Sequence, residues 1–176
     1  MLLAGRDTTA AFLSWTFVLL AQHPAVFQKL RRAITEDFGP ASTNNNAPTN
    51  ISFAGLKSCR YLQYVLNETL RLYPPIPFNN RVAVRDTVLP VGGGPNKDKP
   101  IAVQKGTMIT WSVYAMHRRK DLWGADAEEF RPERWEGRKS GWDFLPFHGG
   151  PRICLGREYQ ASSVPCCGIE PKRIAS

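Results

Sequence analysis

The sequence predicts a mainly α fold carrying a small antiparallel β-sheet. Three observations lead there. The first 72 residues hold three stretches of helical character. Between residues 81 and 112, short extended runs alternate with turn residues. From 131 to 156 the chain is a coil rich in Pro, Gly, Arg and Trp, with little regular periodicity. Composition agrees with a folded domain, since 176 residues with 43% apolar and 22% charged side chains suit one hydrophobic core rather than disorder.

Leu2 to Gln22 is apolar nearly all round, through Phe12, Leu13, Trp15, Phe17, Leu19 and Leu20, and reads as a buried helix. Arg6 and Asp7 stand too early for a signal-peptide core and leave too short an apolar run for a membrane span. Pro24 opens a second, amphipathic helical pattern that Gly39-Pro40 ends. PASTNNNAPTN, residues 40 to 50, has turn chemistry and reads as an exposed loop. A third helix over roughly Tyr61 to Leu72 is stopped by Pro74-Pro75 and Pro77. The extended pieces RVAV, PIAV and TMITW follow, with VGGGPNKDK as a hairpin-type loop. Short helices are expected between Val113 and Phe130, and no internal repeat is visible.

Charge and cysteine usage narrow the function classes. The net charge is +8, but the basic residues are scattered, which argues against a nucleic-acid-binding module. HRRKD, residues 117 to 121, is the densest basic spot and reads as a solvated helix end, with docking of an acidic partner as the alternative. Four cysteines (59, 154, 166 and 167) form no disulfide framework and no C-x-x-C pair, which favours a reduced, intracellular setting. His117 and His148 are potential metal ligands, but nothing in the sequence orients them towards one site.

The most constrained stretch is FHGGPRICLG, residues 147 to 156. A thiolate is the metal-binding form of cysteine and needs local positive potential at neutral pH. Gly149 and Gly150 permit positive φ, so that backbone amides can turn towards the sulfur of Cys154. Gly156 leaves room for a flat, bulky group, and Leu155-Gly-Arg-Glu-Tyr reads as a helix start whose dipole also favours a thiolate. Arg152 stands where it can reach a carboxylate on that group. One sulfur ligand, a large flat cofactor and acidic substituents describe haem.

The run F-x-x-G-x-R-x-C-x-G, met by Phe147, Gly150, Arg152, Cys154 and Gly156, resembles the haem-binding signature of the cytochrome P-450 monooxygenases. Three further runs are similar to the family's in the same order. Glu68 and Arg71 share a helix face in Glu68-Thr-Leu-Arg71; read alone they are an ordinary surface pair. By resemblance they join Arg134, in Phe130-Arg-Pro-Glu-Arg-Trp135, as a buried triad that fixes the coil leading to the cysteine. Ala4-Gly5-Arg6-Asp7-Thr8-Thr9 is similar to the family run lying across the distal face of haem, where the helix bulges. Read alone, its threonines bond to their own helix backbone.

The resemblance implies a role for each matched residue. Cys154 is the axial thiolate of haem b, pushing electron density onto iron to favour O–O cleavage. Thr8 holds the hydrogen-bond network at the bound oxygen and Asp7 relays protons. Arg81, in RVAVRD, pairs with a haem propionate; a surface strand arginine is the alternative. Ala4 and Gly5 on the distal helix, and Ile76, Pro77 and Phe78 after the proline-rich helix end, line the substrate pocket; simple packing is the alternative for the last three.

The texture of LLAGRDTTA, LNETLRLYPP, LPVGGGP and VYAMHRRKDLWGADAEEFRPERW resembles the fungal branch that hydroxylates n-alkanes and fatty acids. The resemblance implies a small lipophilic substrate, O2, and electrons from NADPH through a flavoprotein reductase. That reductase would dock on the cysteine side, near Arg118, Arg119 and Lys120. It covers residues 1 to 159, as the C-terminal, haem-binding part of the cytochrome P-450 fold truncated at both ends. Residues 160 to 176 diverge, with Pro165 and Gly168 as helix breakers, and are expected to be a disordered tail from an incomplete gene model. The full-length parent is expected at the cytoplasmic face of the endoplasmic reticulum membrane, through an anchor this chain lacks. The alternative function is an inactive fragment that at most binds haem.

Overall fold

The structure is a computed structural model and describes residues 2–39, 51–139 and 141–156. The expected 40–50 loop, the helix start beyond Gly156, Cys166, Cys167 and the tail lie outside the described residues. Four helices come first: α1 (Leu2–Gln22), α2 (Pro24–Phe38), α3 (Phe53–Ser58) and α4 (Arg60–Leu72). Four strands follow: β1 (Phe78–Val82), β2 (Thr87–Gly93), β3 (Lys99–Val103) and β4 (Met108–Ser112). Two short helices, α5 (Val113–Met116) and α6 (Lys120–Trp123), lead into coil containing 3-10 turns at Pro132–Trp135 and Gly150–Arg152.

The helix α4 is the centre of the molecule. Its residues Val65 to Leu72 are all buried, because both core clusters close on it. One cluster packs Leu66 and Leu70 with Phe12, Trp123, Trp135, Phe144 and Phe147. The other packs Tyr61, Val65 and Leu72 with Leu19, Leu20, Leu30 and Phe130. Tyr73 caps the helix, its N–H donating to the Thr69 carbonyl, and Pro74 prevents continuation.

The long helix α1 departs from the all-round burial expected of it. Phe12, Thr16, Leu19 and Leu20 face inward, at the spacing of a single helical face. Leu13, Trp15, Phe17 and Val18 are exposed, Phe17 at 68%. The helix is also continuous across Gly5–Thr8, with no bulge. Among the described residues no single helix is long and apolar enough to cross a membrane; α1 and α2 meet that test only as a pair bent by 111°. Pro24, at the first turn of α2, marks the bend.

The strands form two nested two-stranded antiparallel ladders rather than one sheet. The outer ladder pairs β1 with β4, setting Arg81 opposite Ile109. The inner pairs β2 with β3 through an irregularity between Leu89 and Gly93. VGGG is therefore largely strand, and the tight turn is confined to Gly94–Lys97, where Gly94 has φ +74 and Lys97 φ +57.

A three-residue clamp ties α2 and α4 to the first 3-10 turn. Glu133 Oε1 accepts from Lys29 Nζ at 2.8 Å and from the Tyr61 hydroxyl at 2.9 Å. Burial and the neighbouring Glu133 carboxylate both push the Tyr61 phenol well above its ordinary range. Tyr61→Phe is expected to lower the free energy of unfolding by about 1 kcal/mol, read as a shift in urea midpoint without a change of slope.

Candidate functional site

Glu68 and Arg71 are both fully buried, contrary to the surface pairing that their spacing alone suggests. Arg71 grips the carboxylate with two parallel bonds, Nε to Oε2 and Nη2 to Oε1, each 2.9 Å. Arg134 reaches the same Oε1 through Nε at 2.7 Å. The Arg131 backbone N–H and the Trp135 indole N–H complete the carboxylate's partners, each at 3.0 Å. The three side chains thus meet at one point, although 66 residues separate Glu68 from Arg134.

The arginines also bond to backbone. Arg71 Nη1 donates to the carbonyls of His117 (2.7 Å) and Ala127 (2.6 Å), and its Nη2 to that of Glu129 (3.1 Å). Arg134 donates to the carbonyls of Trp123 and Asp126. Two guanidinium groups therefore hold the coil on either side of α6, up to the first 3-10 turn, where backbone pairing is confined to isolated turns. Asp126 stays below the usual carboxylate range: burial opposes this, but Arg134 and Arg131 outweigh it.

His117, which its sequence surroundings orient towards no site, sits beside this network. It is fully buried, not solvated as the HRRKD reading expected. Its Nε2 accepts the Leu145 backbone N–H at 2.9 Å, so Nδ1 carries the proton and donates to the Arg71 carbonyl at 3.2 Å. Burial drives its pKa down to about 3, with the Arg71 and Arg118 charges acting in the same direction. Its partners stand 46 and 28 residues away, so no local pattern announces it.

From Leu145 the coil enters the cysteine loop. The His148 N–H donates to the Leu145 carbonyl and the Cys154 N–H to the Phe147 carbonyl, both at 3.1 Å. Phe147 is buried in the aromatic core, while the Cys154 thiol is exposed and free. Gly150 has φ +75, the left-handed conformation that the reversal of chain at Gly150–Arg152 requires. A side chain added at Gly156 would stand 3.6 Å from the Cys154 sulfur, over the face that this glycine leaves open. Leu155 beside it is 80% exposed.

Arg81 approaches this loop from β1. Its Nη1 donates to Asn79 Oδ1 (3.1 Å) and the Asn80 carbonyl (2.6 Å), and its guanidinium lies 5.3 Å from the Trp111 ring centroid. Trp111 meets His148 edge-on at 6.1 Å, and burial together with the Arg81 charge lowers the pKa of His148. Arg152 lies exposed on the turn before Cys154. Phe147, Gly150, Arg152, Cys154 and Gly156 therefore form one local loop, with Arg81 at its side.

The other candidates do not gather there. Asp7 is exposed and paired with Arg6 at 2.9 Å, and the Thr8 hydroxyl donates to its own helix at the Ala4 carbonyl, 2.5 Å away. Ala4 and Gly5 are exposed at the start of α1. Ile76 and Phe78 are exposed, at 44% and 64%, while the Pro77 carbonyl accepts from Tyr114 N–H and the Ser112 hydroxyl. The basic cluster is largely neutralised, with Arg118 bonded to Glu128 at 3.0 Å and Arg119 to Asp121.

A family model described as cytochrome P-450 matches residues 1–159. The chain belongs to the cytochrome P-450 family. A cytochrome P-450 monooxygenase from a Fusarium species is 56% identical over 159 residues, covering 90% of this chain and 27% of the relative. One from Alternaria solani is 54% identical over 161 residues, covering 90% and 30%. Cytochrome P-450 52A12 of Debaryomyces hansenii is 56% identical over 162 residues, covering 90% and 31%. The chain spans about three-tenths of the length of these relatives. Membership makes this a chain of a fungal-type oxidoreductase family whose members work with haem, as the opening resemblance implies.

Proposed function

We propose that this cytochrome P-450 chain supplies the thiolate side of a haem monooxygenase acting on long-chain aliphatic molecules, with residues 1–159 as its partial domain. The observation that carries the reading is the exposed Cys154 thiol, on a glycine loop joined by hydrogen bonds to the coil that Glu68, Arg71 and Arg134 hold. The donor set fits haem b. Among the described residues no three His, Cys, Asp or Glu side chains gather around a metal position. A metal held by the single Cys154 sulfur would take its remaining donors from a tetrapyrrole.

Cys154 would hold the iron of that group through its sulfur, Gly156 would keep the sulfur's face open, and Arg81 and Arg152 would meet the carboxylates of the tetrapyrrole. Bound there, haem would supply activation of O2, with one oxygen atom entering a C–H bond and the other leaving as water. NADPH provides the two electrons this balance needs, through a flavoprotein reductase, and protons come from solvent. Thr8 would hold hydrogen bonds on the side facing away from the sulfur, and Asp7 would pass protons there. To do so each exchanges a present bond, Thr8 with the Ala4 carbonyl and Asp7 with Arg6. Ala4, Gly5, Ile76, Pro77 and Phe78 form part of the substrate wall. The similarity to fungal n-alkane and fatty-acid hydroxylases supports the aliphatic substrate, and the cytoplasmic face of the endoplasmic reticulum membrane as the site of the full-length protein.

A second reading is a haem-binding chain without turnover, favoured by the exposed apolar face of α1 and the exposure of Ile76 and Phe78. The deciding experiment is a reduced carbon monoxide difference spectrum of the 176-residue chain expressed with haem supplied. A red-shifted Soret band of thiolate ligation is expected, and Cys154→Ala abolishes it. A spectrum of free haem overturns the proposal. The band without conversion of an alkane or fatty acid in the presence of reductase selects the second reading.

A further inference from the structure

We propose that His117 is a positioning residue that transmits the geometry of the Glu68–Arg71–Arg134 network to the Cys154 loop. The inference deepens the haem-thiolate reading and rests on it for its functional meaning. Its physical basis is a continuous run of bonds. Arg71 and His117 hold each other twice, through Arg71 Nη1 to the His117 carbonyl and His117 Nδ1 to the Arg71 carbonyl. His117 Nε2 then takes the Leu145 N–H, the Leu145 carbonyl takes the His148 N–H, and the Phe147 carbonyl takes the Cys154 N–H.

Among the described residues no other side chain accepts the Leu145 N–H. The ion network itself stops at the carbonyls of residues 117, 123, 126, 127 and 129, well short of the loop. The imidazole is also locked in orientation, tilted against Phe144 at 5.2 Å and edge-on to Trp123 at 6.2 Å. A ring so fixed presents one acceptor in one direction, which is what setting a backbone amide requires. His117 touches neither cofactor nor substrate. It acts through Leu145 and Phe147.

The test is amide-resolved hydrogen exchange of the 176-residue chain without haem. In the unmodified chain the Leu145, His148 and Cys154 amides are expected to exchange with a common protection factor, because one link holds all three. Three unrelated protection factors overturn the proposal without any variant. In His117→Asn, which can keep the bond to Arg71 but is too short for Leu145, all three amides are expected to exchange about tenfold faster, the loss of one hydrogen bond. His117→Gln, which places an acceptor near the former Nε2, restores protection. Faster exchange at Leu145 alone means a local structural role and overturns the proposal.

With haem supplied, His117→Asn is expected to shift the carbon monoxide complex from the thiolate form towards the unligated-thiol form, and His117→Gln to reverse this. If the unmodified chain shows no thiolate band while the exchange pattern holds, the haem reading fails and the positioning link stands.

Discussion

Glu68→Ala is expected to lower folding stability by about 3–5 kcal/mol, a large share of the ~5–15 kcal/mol typical of a whole domain. The carboxylate is fully buried and carries five hydrogen bonds from four residues. Its removal strands two buried guanidinium groups and the Trp135 indole N–H. Many buried ion clusters can be replaced by apolar residues at little cost, because desolvation cancels most of their attraction. Here that exchange is expected to fail. A Glu68→Met, Arg71→Leu, Arg134→Met triple variant would take the guanidinium donors from the carbonyls of residues 117, 123, 127 and 129, and would leave that of Asp126 with the Glu129 N–H alone. Urea unfolding followed by circular dichroism checks both. A triple variant that regained the starting midpoint would show that the bonds to the carbonyls add no net stability.

Acid is expected to weaken the fold well above the carboxylate range. Burial holds the pKa of His117 down at about 3 in the folded chain, against an ordinary value of 6.5. The unfolded chain therefore takes up the proton first as pH falls. The stabilisation is fully present above 6.5 and is lost as pH drops through the window from 6.5 to 3, reaching ~5 kcal/mol at the far end. Between about pH 7.5 and pH 5 the loss from this one group is about 2 kcal/mol. The lowered pKa of His148 adds to it in the same direction. Asp126 and Glu133, held below their ordinary values of 3.8 and 4.5, contribute only at lower pH. Urea midpoints at the two pH values check the prediction, and His117→Gln should remove most of the slope. An unchanged slope in that variant would mean His117 is not the group that titrates.

Much of this architecture is legible in the sequence because its signals are local. The end of α4 is written in Pro74-Pro75, the bend after α1 in Pro24, and the cysteine loop in its glycines. The pairing of Glu68 with Arg71 is legible from their spacing, but their burial is not. That depends on Trp123, Trp135 and Phe144, brought from far along the chain to cover the same helix. Arg134 entered only through resemblance, since nothing in FRPERW says which carboxylate it meets. His117 is hidden inside a basic cluster for the same reason, its partners standing 46 and 28 residues away. The all-round apolar pattern of α1 suggested a buried helix, yet periodicity records what a face can do rather than what covers it. Thr8, bonded to its own helix, follows the reading of the residues alone and not the family's bulged helix.

The long separation between Glu68 and Arg134 also orders events during synthesis. The bond closes a loop of 66 residues that contains both strand ladders. Closing such a loop directly is entropically unfavourable, and ladders that zip locally beforehand shorten its effective length. Arg134 is made 20 residues ahead of Cys154, which at ~5–20 residues/s is about one to four seconds of translation. Loop closure in chains of this kind takes far less time. Arg134 also leaves the ribosome that much earlier, so the anchor can close before the thiol emerges, and the cysteine then arrives on a platform already set to receive it.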